Sequence, residues 1–184
     1  MHVYELDLAG DPGPRDWACL DAGERERAAR IADPARRDRF VLRRAALRRI
    51  LRGYDREVFC SASDSGGVGA VAVASCRVGV DVEIETARRR QDRIAARMFA
   101  ADERRLIDAF TGDARRRMFH RCWVAKEAYA KGVGRGLAVP FGEFSVASAL
   151  RSAGGVGPVE AGWSVSVETR DGRHLAVALE DRGG

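Results

Sequence analysis

The sequence predicts an α+β protein made of two similar α+β halves, divided near 1–75 and 76–184. Three observations lead there. Strand-like and helix-like stretches follow one another as strand, helices and strands, then as helices and strands again. Period-two alternation marks residues 2–8 and 79–83, whereas 34–52 and 114–133 carry apolar residues at helical spacing. With 184 residues, 46% hydrophobic and 32% charged, the chain holds enough apolar material for a real core.

Residues 2–8 read as a strand, with Val3, Glu5 and Asp7 opposite Tyr4, Leu6 and Leu8. Asp11-Pro12-Gly13-Pro14 reads as a loop. Asp21 is placed to cap a short helix through Ala32. Asp33-Pro34 opens a second, because proline's fixed φ and missing N–H suit a first turn. That helix runs to about Arg52, with Phe40, Leu47 and Leu51 as its buried stripe and Gly53 as its stop. Residues 57–63 read as a short strand and Ser63-Asp64-Ser65-Gly66-Gly67 as a turn. Residues 68–74 and 77–84 read as paired strands, the first apolar enough for burial on both faces. On the second, Val80 and Val82 alternate with Asp81 and Glu83, which puts both carboxylates on one face about 7 Å apart. Residues 88–97 are basic and read as helix or partly loop. A helix from Ala101 to Phe110 is broken at Thr111-Gly112-Asp113. A long helix follows over 114–133, with Met118, Cys122, Ala125 and Tyr129 as its stripe. Residues 144–147, 163–168 and 174–180 read as a closing antiparallel sheet. A Gly-rich turn at 154–162 and the hairpin signal Asp171-Gly172 separate them, and 182–184 read as a loose tail.

The formal charge is +5 and the pI about 9.4, which favours an acidic partner or an anionic ligand. From Glu24 to Arg56 there are twelve arginines against five acidic residues. A solvated helix face is their plain reading and an anion site their functional one. Of 32 basic residues only two are lysines, Lys126 and Lys131, on either side of Glu127. A lysine kept in an arginine-rich chain suggests a need for a compact ammonium instead of a planar fork. Glu127 and Lys131 are four apart and share a helix face, which alone is an ordinary surface pair. With Asp81 and Glu83 they would suit a phosphate chain bound to Mg²⁺, an ion that takes a few carboxylates plus phosphate oxygens and water. Lys126 points about 100° away from Glu127, toward a different part of a ligand.

Other classes are disfavoured. No Gly-rich loop of the Walker or dinucleotide type appears. His2, His120 and His174 are too scattered for a triad or zinc site, and Ser63 and Ser65 have no base nearby in sequence. Four cysteines lack metal-ligand spacing. Few aromatics interleave with the arginines, against a nucleic-acid partner. The first residues lack the pattern of a signal peptide, and no apolar run approaches the roughly 18–20 residues of a membrane span. A cytoplasmic location is expected.

GVDVE at 79–83, FAADE at 99–103 and WVAKEAYAKGVGRGLAVP at 123–140 together resemble the signature of 4′-phosphopantetheinyl transferases. The nearest likeness is to the larger, pseudo-dimeric class that activates peptide and polyketide synthases of secondary metabolism. GVDVE alone is weak, but the joint pattern is specific. It covers about 79–145 and extends loosely to the ERERAARI and RRDRFVLRRAALRRIL helices. The resemblance implies an active site in the cleft between the halves. There, 4′-phosphopantetheine would pass from coenzyme A to a serine of an apo acyl or peptidyl carrier protein, with Mg²⁺, releasing adenosine 3′,5′-bisphosphate. It implies Asp81, Glu83 and Glu127 as metal ligands and Lys131 as the clamp on charge developing at the phosphates. Lys126 would be a further phosphate contact. Glu103 would be the base for the serine, with Glu127 or a bound water as rivals. Arg27 would contact the 3′-phosphate of coenzyme A, and Ser63 would line the same ligand. The implied carrier protein is acidic, which suits a basic enzyme. A monomer is expected, with a dimer as the alternative.

Two departures accompany the resemblance. Where the family has Ser-His-Ser this chain has Ser63-Asp64-Ser65, and an aspartate repels a phosphate. The chain also lacks a segment with Gly-Lys-Pro between the arginine helix and that turn. Both imply a weakened nucleotide side, and with it an alternative: a catalytically impaired homologue that binds a carrier protein or a synthase.

Overall fold

The computed structural model describes residues 1–86, 91–160 and 162–181. Residues 88–90 of the basic stretch expected at 88–97, and the tail at 182–184, lie outside the described residues. In chain order the elements are β1 (His2–Asp7), α1 (Pro14–Cys19), α2 (Ala22–Ala29), α3 (Pro34–Leu51), β2 (Phe59–Ser65), β3 (Val68–Ala74) and β4 (Val78–Ile84). They continue as α4 (Gln91–Met98), α5 (Ala101–Asp108), α6 (Gly112–Gly132), α7 (Ala147–Arg151), β5 (Val156–Glu160), β6 (Trp163–Arg170) and β7 (Arg173–Glu180). The strands form two antiparallel sheets, β1-β3-β2 and β4-β7-β6-β5.

Four layers follow from the side chains of β3 and β4. Val71 and Val73 point to Leu47, Tyr4 and Leu6 beneath α3. Ala70, Ala72 and Ala74, on the opposite face of β3, pack on Val78, Val80, Val82 and Val177 of the second sheet. The outer face of that sheet, with Val165, Ala176 and Ala178, packs on Phe119, Cys122, Ala125 and Tyr129 of α6. Fully burying a valine contributes roughly 1.5 kcal/mol or more, so β3 is a central stabilising element.

Helix starts follow local chemistry. Asp21 Oδ1 accepts the Glu24 N–H at 2.8 Å while Glu24 Oε2 accepts the Asp21 N–H at 3.0 Å. The same Glu24 is buried and held by Arg44 and Arg48 of α3. Burial pushes its carboxyl up, but hydrogen bonds from Arg48, the Asp21 backbone and Arg44 outweigh that and carry it down to about 2.

Five expectations change. Residues 68–74 and 77–84 do not pair with each other: β3 pairs with β1 and β2, β4 pairs with β7, and the two meet face to face. The cause is the alanine face of β3, which the valines of β4 cover. Ser63, Asp64 and Ser65 belong to β2, and the turn narrows to Gly66-Gly67, both at positive φ (55° and 92°). The loop expected at 11–14 gives way at Pro14 to the helix α1. The strand expected at 144–147 is instead a loop entering α7. The strand that borders β6 is β5, inside the stretch expected to be a Gly-rich turn.

The edge of β4 not paired with β7 is closed by serines. Ser61 Oγ accepts the Val80 N–H at 3.1 Å, and Ser65 Oγ accepts the Ile84 N–H at 3.2 Å. Alternate serines of β2 thus satisfy an edge that would otherwise leave donors unpaired. The third serine of that row, Ser63, faces the side chain of Asp81.

Candidate functional site

The site begins with a close approach of backbones. A Cβ on Gly79 would lie 2.9 Å from Gly132 Cα and nearer still to the Ala128 carbonyl oxygen and the Gly132 N–H. Glycine at this one strand position therefore lets α6 lie directly on β4. Two residues further along β4 stands Asp81, and one residue before Gly132 stands Lys131.

Asp81 and Glu83 share the face of β4 that meets α6, as alternation predicts. Asp81 is buried at 5% exposure, so this face of the strand is not a solvent-facing edge at Asp81. Lys131 Nζ donates to Asp81 Oδ1 at 2.6 Å and to Ser63 Oγ at 2.8 Å, and Ser63 Oγ donates to the same Oδ1 at 2.6 Å. Asp81 Oδ2 is buried without a hydrogen-bond partner. Burial pushes the Asp81 carboxyl above the usual range; Lys131 and Ser63 pull it back, and Glu83 adds to the rise. Glu83 accepts from Ser65 Oγ at 2.8 Å. Glu127 is half-buried, one turn before Lys131 on the same side of α6. Among the described residues, no three His, Cys, Asp or Glu side chains stand together closely enough to hold a metal ion by themselves.

Lys126 and Glu103 are elsewhere. Both are fully buried, and their charged atoms lie 3.0 Å apart. Lys126 Nζ also donates to the carbonyl oxygens of Phe141 (2.6 Å) and Phe144 (2.7 Å) and sits 3.9 Å from the centroid of the Phe144 ring. Glu103 accepts the N–H groups of Ala100 and Val146. Burial pushes each toward its neutral form, and their mutual attraction opposes that. A pair closed in this way is out of reach of a ligand. The phosphate contact expected of Lys126 and the base expected of Glu103 are replaced by a tie between α5, α6 and the loop after α6.

Arg27 is also apart from the Ser63 cluster. β2 presents Ser63 toward β4 and Asp64 toward α3, since successive side chains alternate. On that second side Arg43 Nε is 2.7 Å from Asp64 Oδ1 and Arg39 Nε is 3.8 Å from Oδ2, though neither N–H is aimed for a hydrogen bond. The Arg27 and Arg43 guanidinium groups lie 5.4 and 5.9 Å from the centroid of the Phe40 ring. Burial lowers the Arg43 pKa, Asp64 raises it, and Arg44 and Arg27 lower it further. The aspartate expected to repel a phosphate is thus answered by the protein's own arginines.

Sequence spacing missed two arrangements. His120 and His174, 54 positions apart in the chain, stack with ring centroids 5.6 Å apart and planes 2° from parallel. Both are buried, and the β4–β7 register sets His174 beside Glu83. Burial and the neighbouring His120 hold the His174 pKa below its usual value. The serine row of β2 was legible only as turn chemistry, because nothing local says which strand its hydroxyls face.

The site thus joins a strand-borne acidic pair, a helix-borne ammonium and a bridging hydroxyl. The model of the 4′-phosphopantetheinyl transferase superfamily matches residues 77–178, more than half of the chain, and the chain belongs to that superfamily. It is 26% identical to slr0495 of Synechocystis sp., provisionally named a 4′-phosphopantetheinyl transferase, over 68% of this chain and 67% of that one. It is 28% identical to the 4′-phosphopantetheinyl transferase HetI of Nostoc sp., over 66% of this chain and 62% of the relative. The chain thus spans about two thirds of the length of these curated relatives. A crystal structure of a holo-(acyl-carrier-protein) synthase from Bacillus anthracis in complex with coenzyme A aligns with a TM-score of 0.45 at 20% identity. It covers 58% of this chain and 97% of that one. Among the described residues no helix is long and apolar enough to cross a membrane.

Proposed function

We propose that this protein transfers 4′-phosphopantetheine from coenzyme A to a serine hydroxyl of an acyl or peptidyl carrier protein. The observation that carries the reading is the Ser63–Asp81–Lys131 cluster, because its Asp81 and Lys131 stand in the two sequence signatures of the superfamily. The serine oxygen attacks the phosphorus that bears pantetheine, and the bond from that phosphorus to the bridging oxygen breaks. Adenosine 3′,5′-bisphosphate departs with the electron pair.

The residues present fit Mg²⁺. Asp81 Oδ2 is a buried oxygen without a partner, and Glu83 stands on the same strand face. Mg²⁺ is usually held by one or two carboxylates with phosphate oxygens and water, so a cage made of protein alone is not required. Asp81, Glu83 and Glu127 would hold it, and it would supply charge neutralisation at the pyrophosphate. Lys131 would add an ammonium at the same phosphates, where compensation of developing charge is the main contribution to such transfers. With Glu103 closed inside the protein, Glu127 or a bound water would accept the serine proton. An acidic carrier domain is the partner that suits a chain of charge +5.

The test is incubation with coenzyme A, Mg²⁺ and a panel of apo carrier proteins, read by intact mass. A gain of one phosphopantetheinyl group on a carrier serine supports the reading, and no gain on any carrier counts against it. The pairing of Asp64 with Arg43 favours a second reading, a carrier-binding homologue with little affinity for coenzyme A. It predicts carrier binding without coenzyme A and no heat on titration with coenzyme A.

A further inference from the structure

The Asp81 carboxylate is already met by a cation of the chain itself, and that cation is Lys131. The three atoms Lys131 Nζ, Ser63 Oγ and Asp81 Oδ1 form a closed triangle with sides of 2.6, 2.8 and 2.6 Å. The two charged partners differ in access: the Lys131 side chain is 30% exposed and that of Asp81 7%. The lysine therefore reaches in from the solvent side and covers one carboxylate oxygen, while Oδ2 stays buried without a partner. Asp81 is fixed on a paired strand. Lys131 is a point charge on a flexible four-carbon stem, so it is the member able to move.

A divalent cation arriving alone at Asp81 would meet an ammonium already there, and two cations at one carboxylate repel. A pyrophosphate brings enough negative charge to hold both. We propose that Lys131 guards Asp81, so that a divalent cation binds the free protein weakly and loads together with the pyrophosphate of the substrate, to which the ammonium then moves. The identity of that substrate rests on the reading above. Metal and coenzyme A then bind with positive coupling, each tightening the other by the same factor. Ser63 is the positioning residue, because its hydroxyl holds the ammonium on the carboxylate.

The experiment titrates Mn²⁺, followed by the loss of its free electron-spin-resonance signal, into wild type, Lys131→Met and Ser63→Ala, each with and without coenzyme A. Wild type should bind Mn²⁺ weakly alone and at least about tenfold more tightly with coenzyme A. Lys131→Met should bind Mn²⁺ alone about tenfold or more tightly than wild type, because a full positive charge has left the site. It should also lose most of the gain from coenzyme A. Ser63→Ala should show the same direction with a several-fold change, and it decides the matter if Lys131→Met fails to fold by circular dichroism. Tight Mn²⁺ binding by wild type only with coenzyme A, together with variants no tighter than wild type alone, overturns the guard and leaves the transferase reading intact. No Mn²⁺ binding in any arm, coenzyme A included, overturns both.

Discussion

Replacing Gly79 with alanine tests whether the meeting of β4 and α6 builds the site. The added methyl would stand 2.9 Å from Gly132 Cα and closer to two further backbone atoms. Carbon atoms rest at about 3.5–4.0 Å and the Ala128 carbonyl oxygen lies nearer still, so the backbones must part by about 1 Å or more. Overpacking of that kind costs about 1–3 kcal/mol, which in a domain of this size lowers the melting temperature by about 2–4 °C per kcal/mol. The same shift separates Lys131 from Asp81, now 2.6 Å apart, and a displacement near 1 Å can cost about 10²-fold in rate. Thermal denaturation and the rate of carrier modification measure the two effects. Gly142→Ala is the control, since nothing lies within 4 Å of its added methyl. A Gly79→Ala protein with wild-type melting and wild-type rate would refute the reasoning.

Other changes probe the supporting parts. Lys126→Met leaves the Glu103 carboxyl buried without its cation and should cost about 3–5 kcal/mol in urea denaturation. Lys126→Met with Glu103→Gln should recover part of that loss, and strictly additive losses would show that the two do not act as a pair. Glu24 has its pKa lowered from 4.5 to about 2, so its stabilisation is present above the unfolded value and fades as pH falls from about 4.5 to 2. Wild type should therefore lose about 2–3 kcal/mol more than Glu24→Gln on acidification from pH 5 to 2, and parallel losses would remove the Arg44–Glu24–Arg48 account. Asp64→His removes the carboxylate that occupies Arg43 and should tighten coenzyme A on the order of tenfold by calorimetry. No change would mean that the Arg27–Arg39–Arg43 cluster lies away from the ligand.

What the sequence made legible was whatever depends on short range. The period-two run at 79–83 predicted that Asp81 and Glu83 share a face, and the spacing of four joined Glu127 to Lys131. The caps at Asp21 and Asp33 marked helix starts because each accepts an N–H of its own first turn. What stayed hidden depends on contacts between distant segments. Nothing near Lys126 says that two carbonyl oxygens fifteen and eighteen residues on will enclose it. An interior lysine and a cleft lysine have the same local pattern, and only the packing of the loop after α6 separates them. In the same way β3 and β4, neighbours in sequence, read as a hairpin. The alanine face that instead stacks them becomes visible only when the valines opposite are known. The two histidines, scattered in the chain, meet through the β4–β7 register and the run of α6.

The central claim is that Asp81, beside Ser63 and Lys131, is the centre of phosphopantetheinyl transfer. The most direct measurement is the intact mass of an apo carrier protein after incubation with coenzyme A, Mg²⁺ and either wild type or Asp81→Ala, both shown to be folded by circular dichroism. The account predicts one added phosphopantetheinyl group with wild type and none with Asp81→Ala. Modification at equal rates by both proteins would contradict it.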